Sequence, residues 1–121
     1  MKLSEREEAI LTVLWRMKKA FVKEIIEELN ETPPPPYNTI SSITRRMVDK
    51  GVVGFEAFGK THRYYPILKK EQYKQKKTKQ LFENYFGNSF EELVSYFVKS
   101  KIVTDEEIED ILKQIKASEN E

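Results

Sequence analysis

The side chains best suited to do chemistry in this sequence lie between Tyr37 and Gly51. At about 100° per residue, Asn38, Ser41, Ser42 and Arg45 fall on one side of a helix over 37–50, with Thr39 and Arg46 flanking them. Ile40, Ile43 and Met47 gather on the opposite side and should face a core. Short hydroxyl and amide side chains permit close approach to a groove, and a guanidinium can pair bidentately with guanine or reach a phosphate. Lys60, His62 and Arg63 follow, able to touch backbone phosphates or an adjacent minor groove. The chemistry in view is hydrogen-bonded and ionic recognition of a polyanion. A polar outward face alone fits an ordinary wetted amphipathic helix better. The hairpin directly after the helix and the local charge reverse that balance.

The charge balance of the whole chain hides this pattern. Its 121 residues carry 21 Lys+Arg and 20 Asp+Glu, a net +1. Yet residues 37–70 hold seven basic and two acidic side chains, whereas residues 102–121 hold two basic and seven acidic ones. A local basic excess is the electrostatic footprint of a polyanion binder. Other chemistries have little to work with. With no cysteine there is no disulfide, thiol nucleophile or thiolate metal site, and His62 is the single histidine. No nucleophile–base pairing, phosphate loop or metal-ligand spacing is visible, so we expect no enzyme, no metal and no cofactor. The absence of any run near 20 apolar residues, and of a signal peptide in MKLSEREE, leads us to expect a soluble cytoplasmic protein.

The elements that must position these residues announce themselves at their ends. Ser4 precedes Glu7, Ser89 precedes Glu92 and Thr104 precedes Glu107, each at the spacing of a capping box. The first helix runs over 5–18, with Trp15 expected as a core anchor, and the second over 21–30, with Val22, Ile25, Ile26 and Leu29 at helical spacing. Pro33–Pro36 cannot continue a helix and favour a stiff extended linker. The third helix starts near Tyr37 or Asn38 and stops at Gly51. VVGFEAF and HRYYPI around Gly59-Lys60 read as a β-hairpin that Pro66 ends. Three further helices are expected over 69–86, 90–101 and 105–117. The order suggests a mainly α (α+β) chain: a winged helix-turn-helix over 1–70, then a three-helix dimerisation domain over 71–121.

The last three helices carry many apolar side chains: Leu81, Phe82, Tyr85, Phe86, Phe90, Phe97, Ile108, Ile111, Leu112 and Ile115. Three short helices rarely bury so much alone, so a second copy should complete their core. A twofold dimer would present two recognition helices to a palindromic duplex. Lys74, Lys76, Lys77 and Lys79 read as a solvated cluster, and the acidic run from Asp105 to Asp110 as favourable charge at a helix start. A winged-helix module that binds only protein is the alternative these residues leave open.

Taken together, LSEREEAILTVLW, YNTISSITRRMVDKGVV, GKTHRYYP and ELVSYFVKSKIVTDEEIEDILKQI resemble the penicillinase-repressor family of bacterial transcriptional repressors. No one motif is diagnostic; order and spacing carry the resemblance over most of the chain. It implies a homodimeric repressor that binds inverted repeats in double-stranded operator DNA, often at resistance genes. It places DNA contacts at Asn38, Thr39, Ser41, Ser42 and Arg46, with Lys60 and Arg63 on the wing. It further implies release by cleavage of the fifth helix between Asn and Phe through a membrane sensor protease; the matching pair here is Tyr96-Phe97, with tyrosine in place of asparagine. Copper-responsive relatives use C-terminal cysteines, which this chain lacks. The four prolines have no counterpart in that pattern.

Overall fold

A computed structural model describes residues 2–119. The chain divides into two compact units, Met1–Lys74 and Gln75–Glu121. The first holds α1 (Glu5–Met17), β1 (Ala20–Phe21), α2 (Val22–Leu29), α3 (Tyr37–Asp49), β2 (Val53–Phe58) and β3 (Thr61–Pro66). Helix α4 (Lys70–Phe86) begins in the first unit, and its later residues belong to the second with α5 (Phe90–Lys99) and α6 (Asp105–Glu119). No helix among the described residues is long and apolar enough to cross a membrane.

The helix ends follow from backbone groups that need partners. At α1 the capping box is complete: Glu7 N–H donates to Ser4 Oγ at 3.2 Å, and Ser4 N–H donates to Glu7 Oε1 at 2.9 Å. Thr104 and Glu107 close the same box on α6, at 3.1 and 3.3 Å. On α5 the Ser89 hydroxyl accepts from Glu92 N–H at 3.1 Å. Pro36 opens α3 without a side-chain cap, its carbonyl accepting from Thr39 and Ile40 N–H. Gly51 closes α3 at φ 79°, a left-handed conformation that glycine adopts without a Cβ penalty. Its N–H donates to the Val48 carbonyl and Val52 N–H reaches back to that of Met47, turning the chain into β2.

The sheet has the order β1–β3–β2, both pairings antiparallel. Ala20 and Phe55 flank Tyr64, while Phe21 and Glu56 flank Arg63. The sequence reading gives the hairpin but not β1, and starts the second helix at 21. The difference lies in long-range pairing: two residues have no local pattern, and they become a strand because β3 offers them an edge. Position 54, buried in β2, is held by glycine because a Cβ there would meet the Tyr65 side chain at 2.5–2.6 Å.

One apolar core sits under this sheet. Leu3, Ile10, Leu11 and Leu14 meet Val22, Ile25, Ile40, Met47, Val52, Val53 and Tyr64. Trp15 is half-buried at its edge, packed against the cluster rather than sealed in it. Its indole N–H donates to the Leu68 carbonyl at 2.8 Å and its ring lies 5.8 Å from that of Tyr73. The Tyr73 hydroxyl donates to Glu8 Oε2 at 2.6 Å; burial and that carboxylate push the phenol well above its ordinary range.

The second unit differs in kind. From 75 to 119 no described residue is buried. Tyr85 and Phe90 are largely exposed, at 78% and 61%, and Leu81, Phe97, Ile111, Leu112 and Ile115 are also exposed. Phe82, Phe86 and Ile108 are half-buried, with Phe86 edge-on to Tyr96 at 5.6 Å.

Truncating the fully buried Ile40 tests the core under α3. Ile40→Ala should lower the unfolding free energy by about 2–5 kcal/mol, because it removes apolar contacts and leaves a cavity. Urea denaturation followed by Trp15 fluorescence reads this directly.

Candidate nucleic-acid interface

The polar side of α3 is free because its other side is fully committed. Ile40, Thr44 and Met47 are 0% exposed, a spacing of four and three that keeps them in one arc. A threonine can occupy the middle of that arc because its hydroxyl donates to the carbonyls of Ile40 and Ser41, both at 2.9 Å. Asn38, Thr39, Ser42, Arg45 and Arg46 are all exposed.

Ser41 is the exception, and it corrects the sequence reading. It is buried, at 9% exposure, not turned outward. The wheel takes Ile40, Ile43 and Met47 as its apolar stripe, but Ile43 is only half-buried. The buried arc is Ile40, Thr44 and Met47, shifted toward Ser41, because a self-satisfied threonine can enter a core as a wheel of apolar residues does not anticipate. The outward surface is therefore Asn38, Ser42 and Arg45, with Thr39 and Arg46 beside them.

An ion pair pins this helix at its far end. Lys50 Nζ donates to Glu7 Oε2 at 2.6 Å, joining the C-terminus of α3 to the capping box of α1. Burial of Glu7 opposes its ionisation, but the hydrogen bonds from Lys50 and Ser4 outweigh this and hold the carboxyl below the usual carboxylate range. The two residues lie 43 positions apart, and no local pattern in the sequence links them.

The wing presents its three basic residues differently. Lys60 is exposed in the loop beside Gly59, which takes φ 61°. His62 is half-buried and stacked on Phe55, ring centroids 4.4 Å apart. The Arg63 guanidinium lies 6.0 Å from the Phe21 ring centroid, with Glu56 opposite it in register. A hydrogen bond from Lys19, at 2.7 Å, and the charges of Lys19 and Arg63 hold the Glu56 carboxyl below its ordinary range. Phe21 and Phe55, which carry these two side chains, are contacts the sequence reading missed; both follow from sheet pairing.

The ion pairs of the unit leave the cations of this surface uncommitted. Arg6 pairs with Glu31, Arg16 with Glu28 at 2.7 Å, Lys19 with Glu56 and Lys50 with Glu7. Arg45, Arg46 and Lys60 pair with no acidic side chain among the described residues. Three exposed cations without counter-charge, on a rigid helix and an adjacent hairpin, form a surface able to accept phosphate and base-edge oxygens. Of the sequence-derived contacts the first unit thus exposes Asn38, Thr39, Ser42, Arg45, Arg46 and Lys60, half-buries His62 and Arg63, and buries Ser41.

The Glu7 carboxyl gives a pH test. Its folded-state pKa is depressed, so its stabilising contribution is complete above the ordinary carboxylate value and is lost as pH falls through the folded value. Thermal melts at descending acid pH should show Glu7→Gln losing less stability than the parent chain, whose Glu7 gives up its bond to Lys50.

Comparison with known proteins bears on what this surface meets. A family profile described as penicillinase repressor matches residues 3–117. The methicillin resistance regulatory protein MecI of Staphylococcus aureus (strain N315) is 26% identical over 110 residues, covering 91% of this chain and 89% of that protein. The protein of the same name from Mammaliicoccus sciuri shows the same identity and coverage. The penicillinase repressor of Bacillus licheniformis is 21% identical over 119 residues, 98% of this chain and 93% of its own length.

Proposed function

The chain belongs to the penicillinase repressor family, and from that premise we propose that it is a dimeric transcriptional repressor that grips palindromic operator DNA through α3 and the β2–β3 wing. Its family consists of regulatory DNA-binding proteins rather than enzymes. The observation that carries the reading is the pair Arg45 and Arg46, exposed and without acidic partners on a helix whose opposite side is buried. In this reading α3 enters the major groove, Asn38, Thr39, Ser42, Arg45 and Arg46 meet bases and phosphates, and Lys60, His62 and Arg63 hold the flanking backbone. Ser41, being buried, supports the helix from behind. Residues 1–70 act as the DNA-binding domain and 71–121 as the dimerisation domain. The names of the relatives favour antibiotic-resistance genes as targets and the cytoplasm as the place of action.

Repression follows from occupancy: a dimer over a promoter excludes polymerase. Two half-sites engaged at once bind far more tightly than either alone, so the tie between copies matters as much as the groove contacts. The apolar side chains left exposed on α4, α5 and α6 support that tie. Relief by a membrane sensor protease cutting between Tyr96 and Phe97 is part of the same proposal; both are exposed, at 54% and 36%.

A mobility-shift titration against the DNA upstream of the chain's own gene tests the reading. Affinity should fall linearly on a log–log plot against salt, and Arg46→Ala should cost about 1–3 kcal/mol on the operator and less on random duplex. No shift on any duplex would instead favour a protein-interaction module. Separately, Ile111→Glu should convert the sedimenting dimer to monomer and weaken binding to the full operator, with half-site binding unchanged.

A further inference from the structure

An open cleft of about 380 Å³ lies in the first unit where the starts of α2 and α3 meet the wing. Phe21, Val22 and Tyr37 supply carbon walls, and Lys23 and His62 add cationic or N–H donors. None of the DNA contacts assigned above, apart from His62, belongs to it. Lys23 is exposed and forms no ion pair with any described residue. Tyr37 stands 49% exposed at the first position of α3. Glu24 also lines the cleft, but its Oε1 accepts from the Phe21 N–H at 2.9 Å, which fixes that carboxylate at the start of α2.

Resting on the DNA-binding reading, we propose that this cleft seats one sugar–phosphate unit of the bound duplex, its deoxyribose against the Phe21 and Tyr37 rings and its phosphate on the Lys23 ammonium and Tyr37 hydroxyl. Three features favour this ligand. The cleft is open, as a passing polymer requires. Its walls match the carbon face of a sugar, while its unpaired cation matches a phosphate. It also lies between the groove-reading helix and the wing, the interval that a DNA strand must cross to touch both. Lys23 sits in the stretch 1–36, which holds more acidic than basic residues, and so escapes any reading of charge along the chain. The contact carries no base information; it fixes register and adds affinity equally on every sequence.

Lys23→Ala keeps an exposed helical position helical while removing the charge and its aliphatic stem. It should weaken operator and random duplex by the same factor, several-fold, and lower the salt slope by about one for each copy bound. Tyr37→Phe, which keeps the ring, should lose about threefold on both. A neutral methylphosphonate placed in turn along the operator should reveal, among the contacted phosphates, one position per half-site that costs the parent chain affinity and costs Lys23→Ala nothing. Unchanged affinity and slope in Lys23→Ala, with Arg46→Ala still impaired, would overturn the cleft while leaving the repressor reading intact. A parent chain that grips no duplex would end both.

Discussion

The burial of one side of α3 is the constraint on which the rest depends. Ile40, Thr44 and Met47 are sealed against α1, α2 and the sheet, so this helix cannot roll without exposing core. Its C-terminus is fixed twice more, by the Gly51 turn and by Lys50 on Glu7. Recognition of a groove needs side chains held in place before contact, because ordering them on contact costs affinity. Rigidity here comes from ordinary apolar packing, and function occupies the side left over. Such an ion pair at a helix end contributes position as much as stability: Glu7 caps α1 and receives α3 through a single carboxylate.

The wing solves a related problem on a smaller element. A two-stranded hairpin alone is marginal in water. Here β3 is flanked on both sides, because Ala20 and Phe21 add a short third strand. That strand also brings Phe21 beneath the Arg63 guanidinium and Lys19 to Glu56. The chain between α1 and α2 thus steadies the wing as well as linking two helices.

How much of this the sequence disclosed depends on the range of the interaction. Helix starts were legible because Ser4–Glu7 and Thr104–Glu107 are local devices, three residues across. The hairpin was legible from alternating aromatic and β-branched residues around Gly59. Strand β1, the pin between Lys50 and Glu7, and the hydroxyl of Tyr73 on Glu8 were not, because each joins residues that only the fold makes neighbours. Ser41 failed for a subtler reason: a wheel ranks residues by polarity, and Thr44 satisfies its own hydroxyl and so counts as apolar in the packed chain. Trp15 was legible as an anchor but not as an edge residue whose indole N–H needs the Leu68 carbonyl.

The second unit carries its own consequence. Between 75 and 119 no described side chain is sealed from water, so these helices gain little from packing until another surface covers them, and short helices on their own are marginal. Helices whose apolar side chains stay uncovered open more readily, and proteases act on opened segments. If two copies cover one another as proposed, the lifetime of the chain becomes a function of its own abundance, since only copies that meet are sheltered.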